Sequence, residues 1–237
     1  MSGARMPDAA AQRFVESVVA LQPKIAVFDC DGTLWAGDAG QEFFYWELER
    51  GLLPKPVADR ARPRYADYLA GRVGEEQMCG EMVTVHTGIA QEKIVAAAAE
   101  FFRTQIAARI FPEMLELTHR LGNAGCELWA VSSTNEWVAR EGARRFGIPA
   151  ERVLAAAVEI ERGFATSRLR QVPTDDGKAH SIRVHIPGPP DAGFGNSIHD
   201  LAMLELVKHA FAINPTDELE QIARQHGWTT YQPAMLR

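Results

Sequence analysis

Cysteine is scarce in this chain of 237 residues. Cys30, Cys79 and Cys126 are the only three, and they are odd in number, far apart and without the spacing of metal ligands. A disulfide framework needs paired cysteines, and a zinc motif needs closely spaced ones. The sequence therefore predicts reduced thiols in a cytoplasmic protein.

Long apolar runs and clusters of positive charge are also missing. The first 24 residues include acidic side chains and no long apolar stretch, which predicts neither a signal peptide nor a membrane span. The 25 basic and 31 acidic side chains leave a formal charge of -6. This balance is untypical of nucleic-acid binders. We expect no membrane or nucleic-acid partner, and a small phosphorylated metabolite as the ligand; the sequence carries no signature of oligomeric state.

Strand and helix patterns alternate over most of the chain. The short apolar run at residues 25–28 is typical of a buried parallel strand. Further strands are predicted at residues 126–133, 153–158, 192–195 and 210–215, with a hairpin over 163–177. Helices are predicted near residues 14–21, 112–121, 136–146, 200–209 and 216–226. This order predicts an α/β fold with a doubly wound parallel sheet.

Residues 38–108 differ from the rest because they contain helical patterns separated by Pro or Gly and no convincing strand. We interpret them as an α-helical cap domain inserted after the first strand. The core domain is then formed by residues 1–37 and 109–237. Four consecutive aromatic residues at 43–46 are expected to bury mainly among the cap helices.

The stretch "AVFDCDGTLW" places two carboxylates, Asp29 and Asp31, at the end of the first predicted strand. Like charges so close repel one another unless a cation lies between them or one is protonated. Ligands of open α/β sheets bind at this end of the strands. The alternative is that both residues only cap a turn.

Three more groups of polar residues lie near predicted strand ends. Ser132 and Ser133 precede a helix, Lys178 follows "PTDDG", and Asn196 and Asp200 open a later helix. Taken singly, each has a purely structural alternative. The serines would form an N-cap, Lys178 would be a solvated surface lysine, and Asp200 would complement a helix dipole. Their shared position at one edge of the sheet favours a single site instead.

The segments "DCDGTLW", "VSS", "GK" and "GNSIHDLAML" resemble the four ordered motifs of the haloacid dehalogenase-like (HAD) phosphatases. The helical insertion resembles the cap of their phosphoserine phosphatase-like branch. The resemblance spans residues 24–228. It implies a Rossmann-like core and a Mg²⁺-dependent phosphatase that hydrolyses a small phosphomonoester.

The resemblance also assigns roles to individual residues. Asp29 is expected to attack phosphorus and form an aspartyl-phosphate, while Asp31 first protonates the leaving alcohol and then activates water. The expected phosphate-binding residues are Gly32, Thr33, Ser132, Ser133 and Lys178. The expected metal-site residues are Asp29, Asp31, Asn196 and Asp200, where Asp200 positions either the metal or Lys178.

Two departures from the family pattern leave alternatives open. The fourth motif normally starts with an acidic metal ligand, and here Asn196 stands in its place. Three explanations remain: a native amide ligand, an engineered trap, or weakened catalysis. The last makes a phosphate-binding pseudoenzyme an alternative function, and a phosphotransferase is another.

Substrate recognition is the second departure. Asp38 matches the family acid that binds a substrate amine, although a solvated loop acid is an equal alternative. The cap segment where the family places a carboxylate-binding arginine has none, so that Arg64 or Arg72 would have to serve. We expect a small phosphomonoester that carries an amine, without assigning phosphoserine.

Overall fold

The computed structural model describes residues 8–236, and of Leu236 the backbone alone. Residues 1–7 and Arg237 lie outside this range. Both ends belong to the predicted core domain, and residues 1–7 also belong to the N-terminal segment for which no signal peptide was predicted. A seven-stranded sheet organises the chain. Its strands are β1 (Ile25–Phe28), β2 (Glu127–Asn135), β3 (Val153–Glu161), β4 (Phe164–Gln171), β5 (Ala192–Gly195), β6 (His209–Ile213) and β7 (Thr229–Tyr231).

The strand order, β4-β3-β2-β1-β5-β6-β7, is that of a doubly wound sheet and confirms the predicted fold class. All neighbouring strands are parallel except β3 and β4. Stacked rings fix the register at the centre, because Phe28, Phe194 and Phe211 lie opposite one another on adjacent strands. Strand β1 lies in the middle, so the residues that follow it meet loops from both sides.

The hairpin prediction is half right. Strand β4 pairs with β3 across a turn at Arg162 and Gly163, so the hairpin starts in the preceding strand. Residues 172–177 lie outside it, and α8 begins at Asp176. Helix α8 and the short edge strand β7 were not predicted from the sequence.

The described chain also contains ten α-helices, besides short 3-10 and π-helical segments. They are α1 (Ala9–Val19), α2 (Ala39–Arg50), α3 (Lys55–Leu69), α4 (Glu75–Thr84), α5 (Gln91–Phe101), α6 (Pro112–Asn123), α7 (Glu136–Ala143), α8 (Asp176–His185), α9 (Leu201–Leu206) and α10 (Asp217–His226). Helix α9 is shorter than predicted because Val207 is already extended and β6 begins at His209.

Helices α2–α5, here called the helical segment (residues 39–101), lie between β1 and β2 in the chain. Asp38 caps α2 by accepting a hydrogen bond from the Gln41 backbone, and Gly51 ends it in a left-handed conformation. As expected for the aromatic run, Phe43 and Phe44 are buried. They join two different clusters: Phe43 packs into the main core, whereas Phe44 packs with Tyr65 and Met78 inside the segment.

Residues 8–236 contain no helix that combines the length and the apolar character needed to cross a membrane. Cys30, Cys79 and Cys126 are all described, and each is a free thiol.

Candidate active site

The carboxyl ends of β1, β2 and β5 converge with the start of α8. A cleft of about 200 Å³ lies at this edge of the sheet. Side chains from all four predicted motifs line it: Asp29, Asp31, Ser133, Lys178 and Asn196. The doubly wound topology explains the convergence, because parallel strands end at the same edge and their loops share one crevice.

Lys178 joins two carboxylates at the floor of the cleft. Its Nζ lies 2.7 Å from Asp29 Oδ1 and 2.5 Å from Asp200 Oδ1. The side chain of Lys178 is only 2% exposed. Burial alone would lower the pKa of Lys178, but attraction to Asp200 and Asp29 outweighs burial and keeps the pKa above its ordinary value. The lysine is therefore a fixed positive charge that is buried from solvent.

The pKa of Asp29 is higher than that of an ordinary aspartate. Burial, followed by repulsion from Asp200, raises its pKa to about 6, although Lys178 and Thr33 act in the opposite direction. Thr33 Oγ1 donates a hydrogen bond of 3.0 Å to Asp29 Oδ2. The carboxylate is thus fixed at both oxygens by donors that its own loop and α8 supply.

Asp200 uses both of its oxygens within the protein. Oδ1 binds Lys178, and Oδ2 accepts hydrogen bonds from the backbone amides of Asn196 at 2.8 Å and Ser197 at 3.0 Å. A β-carbon at Gly195 would lie 2.6 Å from Asp200 Cβ, so only glycine permits this approach. Asp200 therefore ties the loop after β5 to Lys178.

Asp31 is held by three donors. Oδ1 accepts hydrogen bonds of 2.7 Å from Trp35 Nε1 and from the Ala39 backbone amide. Oδ2 accepts one of 2.5 Å from Thr134 Oγ1. Burial, followed by repulsion from Asp38, nevertheless raises the pKa of Asp31 to about 7. A carboxyl group with this pKa is able to exchange a proton near neutral pH.

Sequence reasoning missed Thr134 and Trp35 as the residues that orient Asp31. Thr134 directly follows the two predicted serines, so its position in the second motif was the available signal. Trp35 directly follows "DGTL" and is completely buried, with its ring against Phe102. Only the folded loop shows that its indole nitrogen turns back toward Asp31.

Gly32 and Asn196 pack directly against each other. Gly32 has φ +74°, and a β-carbon there would lie 2.0 Å from Asn196 Nδ2. The glycine therefore serves both the turn and the close approach of the loop after β5. This contact places the Asn196 amide at the cleft beside Asp29 and Asp31.

The two predicted serines have different surroundings. Ser133 lines the cleft, whereas Ser132 is buried, and its Oγ accepts a hydrogen bond of 3.2 Å from the Thr134 backbone amide. Ser132 is not among the residues that line the cleft in this structure. The phosphate-binding role of both serines stays a prediction, and Ser133 is the one that lines the cleft.

A second, smaller cavity lies between β2 and the helical segment. We call it the acidic cavity; its volume is about 40 Å³, and Asp38, Tyr65, Tyr68, Glu75 and Cys79 are among its lining residues. Asp38, Ser133 and Thr134 line both this cavity and the cleft, so the two spaces share a wall.

The two arginines considered for substrate binding point elsewhere. Arg64 forms two hydrogen bonds of 2.8 Å to Glu81, and Arg72 pairs with Asp67. Neither arginine lines the acidic cavity or the cleft.

Two histidines near the site have partners. His199 Nδ1 lies 2.7 Å from Asp175 Oδ1, which links the loop after β5 to the residue before α8. His86 is completely buried, with Nε2 2.6 Å from Glu47 Oε2 and its ring against Trp137. His86 therefore packs the helical segment against α7.

Comparison with known proteins adds to this geometry. Residues 26–205 match the haloacid dehalogenase-like hydrolase family over most of the chain. The chain belongs to this family. A phosphoserine phosphatase of Mycobacterium tuberculosis is 32% identical over 220 residues, which cover 86% of this chain and 68% of that protein.

Other relatives extend the comparison. A histidinol-phosphatase of Neisseria meningitidis serogroup C is 26% identical over 217 residues, covering 86% of this chain and 96% of that protein. A solved structure from Bordetella pertussis Tohama I, described as of unknown function, has a TM-score of 0.75 at 23% identity. It covers 87% of this chain and 96% of its own, and at that identity it shows a shared fold alone.

The family and its relatives confirm the predicted resemblance, including the phosphoserine phosphatase-like branch. This member of the haloacid dehalogenase-like family is an enzyme of the phosphoric monoester hydrolase class.

Proposed function

We propose that this hydrolase is a Mg²⁺-dependent phosphatase that cleaves a small phosphomonoester through an aspartyl-phosphate on Asp29. One observation carries the proposal: Asp29 and Lys178 are 2.7 Å apart in a cleft that Asp31 also lines. Phosphoryl transfer depends on positioning and charge stabilisation, and this cleft supplies a carboxylate, a cation and a second carboxyl group together.

Asp29 is the proposed nucleophile. A carboxylate oxygen attacks phosphorus, the bond to the substrate's alcohol oxygen breaks, and the phosphoryl group is transferred to Asp29. Asp31 is the proposed acid and base. With its pKa raised to about 7, it gives a proton to the leaving alcohol and then takes one from the water that hydrolyses the aspartyl-phosphate.

Lys178 stabilises the charge that accumulates on the transferring group. Thr33, Ser133 and the backbone at Gly32 are the other proposed phosphate-binding groups; Thr33 is hydrogen-bonded to Asp29, and Ser133 lines the cleft. Ser132 is proposed to support the loop of Ser133 through its hydrogen bond with the Thr134 amide. Asp200 holds Lys178 in place through its 2.5 Å contact, which is the second of the two roles expected for Asp200.

The residues that line the cleft offer carboxylate and amide oxygens, which are the kinds of donor that Mg²⁺ prefers. No group of three or more His, Cys, Asp or Glu side chains between residues 8 and 236 is arranged to bind a metal. The proposed site therefore uses mixed oxygen donors, from the Asp29 carboxylate, the Asp31 backbone carbonyl and the Asn196 amide, which suit a hard cation. Bound there, Mg²⁺ would offset the repulsion between Asp29 and a phosphate dianion.

Asp200 fits the metal site less well because, unlike Asp29, it does not line the cleft, and two backbone amides hold its Oδ2 while Lys178 holds its Oδ1. We propose that it acts through Lys178 and the loop after β5.

In this proposal residues 38–108 form a cap over a core of residues 1–37 and 109–237. The substrate is a small phosphorylated metabolite, as the names of the relatives suggest. Phosphoserine and histidinol phosphate both carry an amine, and Asp38 at the wall between the two cavities is the proposed contact for such a group.

Asn196 favours one alternative function, a pseudoenzyme that binds a phosphorylated ligand without turnover. An amide brings no negative charge to the metal site, so it binds Mg²⁺ less tightly than a carboxylate does. Turnover distinguishes the two functions.

The test is phosphate release from a panel of phosphomonoesters, including p-nitrophenyl phosphate and histidinol phosphate, with Mg²⁺ and with chelator. We expect turnover with Mg²⁺ only and a loss of more than about 1,000-fold in Asp29→Asn. Asp59→Asn, an exposed change on α3, is the control and should retain activity. Equal rates in wild type and Asp29→Asn would favour the pseudoenzyme.

A further inference from the structure

The acidic cavity contains two carboxylates and no cationic side chain. Among the described residues that line it, Asp38 and Glu75 are acidic, and none is Lys, Arg or His. Arg64 is engaged by Glu81 and does not line the cavity. The negative charge of this cavity therefore has no counterpart within its wall.

The surrounding side chains fix Glu75. Its carboxylate accepts hydrogen bonds from Tyr68 Oη and, at 3.4 Å, from Cys79 Sγ. All three residues line the cavity. Glu75 opens helix α4, so its position is set by the helix as well as by these donors.

Aromatic and polar groups complete the cavity. Tyr65 is 3% exposed, and its hydroxyl accepts a hydrogen bond of 2.8 Å from Gln41 Nε2. The rings of Tyr65 and Tyr68 lie 5.5 Å apart between centroids. Tyrosine rings next to carboxylates attract organic cations through both charge and the ring quadrupole.

The electrostatics of the cavity also favour a bound cation. Local desolvation of its carboxyl group, with a smaller contribution from the charge of Glu75, raises the pKa of Asp38, although the residue as a whole is exposed. A cation between the two carboxylates would remove this repulsion. A carboxylate in the same place would increase it, and no arginine is there to bind one.

We propose that the acidic cavity binds the leaving group of the substrate, and that this group is a cationic alcohol without a carboxylate, held by Glu75 and Asp38. The inference rests on the proposed function, because the cavity adjoins the cleft where the phosphoryl group would be transferred. Glu75 is the residue that gives this member its preference. A phosphorylated amino alcohol fits this chemistry, whereas a phosphorylated amino acid brings a carboxylate that the wall repels.

The experiment compares three phosphomonoesters that differ by one group at a time. Phosphoethanolamine carries an amine, O-phosphoserine adds a carboxylate, and propyl phosphate is neutral outside its phosphate. We expect kcat/KM for phosphoethanolamine to exceed each of the other two by about 10-fold or more, the usual effect of a charged hydrogen bond.

Two variants test whether Glu75 causes this preference. In Glu75→Gln, the ratio of kcat/KM for phosphoethanolamine to that for propyl phosphate should fall about 10-fold. The matched control is Glu76→Gln, the next residue on α4, which is exposed and does not line the cavity. Its ratio should equal that of the wild type, and circular dichroism should show both variants folded.

The outcomes separate this inference from the proposed function. Turnover in which O-phosphoserine or propyl phosphate matches phosphoethanolamine would overturn the inference and leave the phosphatase standing. Turnover of none of them, nor of any other phosphomonoester in the panel above, would overturn the phosphatase. Calorimetric binding of the three compounds to the wild type with Mg²⁺ would then decide the inference: a tighter phosphoethanolamine complex supports it, and equal affinities overturn it.

Discussion

The cleft and the acidic cavity, which share Asp38 as a wall residue, differ in whether a cationic side chain accompanies their carboxylates. In the cleft, Lys178 lies between Asp29 and Asp200 and offsets part of the charge of both carboxylates. In the acidic cavity, Asp38 and Glu75 have no cationic side chain beside them. With Lys178 and the proposed Mg²⁺ in place, the cleft is suited to an incoming anion, whereas the cavity is suited to an incoming cation.

This difference indicates how one substrate would be oriented. A phosphate dianion is attracted to Lys178 and repelled by Asp38 and Glu75, while a leaving-group amine experiences the reverse. Opposite charges at the two ends of a short molecule then favour a single binding direction. Asp31 lies near the wall between the spaces, beside Asp38, where the proposed leaving oxygen would be.

The largest expected effect comes from removing the compensating charge in the cleft. Lys178→Met leaves Asp29 and Asp200 buried without a cation, and a broken buried ion pair costs about 3–5 kcal/mol. We expect the free energy of unfolding, measured in urea at neutral pH without Mg²⁺, to fall by about that amount. Activity should be lost as well.

Lys208→Met is the matched control for Lys178→Met. Lys208 is exposed, so its replacement should change the free energy of unfolding by less than about 0.5 kcal/mol. Equal stability of the two variants would mean that Lys178 does not compensate the cleft.

A smaller effect should follow from adding a charge to the metal site. Asn196→Asp places a carboxylate where the family pattern has an acid, and carboxylates bind Mg²⁺ more tightly than amides do. The Mg²⁺ concentration that gives half-maximal phosphate release should fall roughly 10-fold. Asn123→Asp, an exposed change at the end of α6, should leave it unchanged. An unchanged or higher Mg²⁺ requirement in Asn196→Asp would argue against Asn196 as a ligand.

The smallest effect concerns the electrostatic coupling between Asp38 and Asp31, measured as the pKa of Asp31. The charge of Asp38 contributes to the raised pKa of Asp31, after burial. Asp38→Asn should therefore lower the pKa of Asp31, as measured by carboxyl NMR on metal-free protein. Asparagine is as good an N-cap as aspartate, so helix α2 should remain intact. Asp59→Asn is the control, and an unchanged pKa in Asp38→Asn would contradict the coupling.

The same coupling has a consequence for stability. The pKa of Asp31 rises from the ordinary value of 3.8 to about 7, so the folded metal-free protein binds this proton more tightly than the unfolded chain does. The contribution of Asp31 to stability is therefore fully present at low pH and falls as the pH rises through this window. Asp38→Asn lowers the folded-state pKa of Asp31, so the upper pH limit of this range should fall.

Much of the fold was predictable because its signals are local. The run at residues 25–28 and the segment "AGFG" at 192–195 became β1 and β5 with the predicted bounds. Helix α10 starts one residue after its predicted start because Thr216 is its N-cap. Helix α8 was missed because "TDDGKAH" begins with turn-forming residues, and Asp175 adopts a left-handed φ of 49° before it.

Long-range contacts explain what the sequence alone does not give. The motif positions predicted that Asp29, Lys178 and Asp200 belong to one site. The sequence did not reveal that both oxygens of Asp200 accept hydrogen bonds, one from Lys178 and the other from two backbone amides. Those bonds depend on the relative positions of loops that are distant in the sequence. The acidic cavity likewise unites Glu75 with Asp38 from helices that are neighbours only after folding.

The most direct measurement is to find the phosphoryl group on the protein. Wild-type enzyme is mixed with radiolabelled phosphomonoester and Mg²⁺, quenched in acid within one turnover and digested for mass spectrometry. We predict a hydroxylamine-sensitive phosphoryl group on the peptide that contains Asp29, and none in Asp29→Asn. Turnover without a protein-bound phosphoryl group, or with one on another residue, would contradict the account.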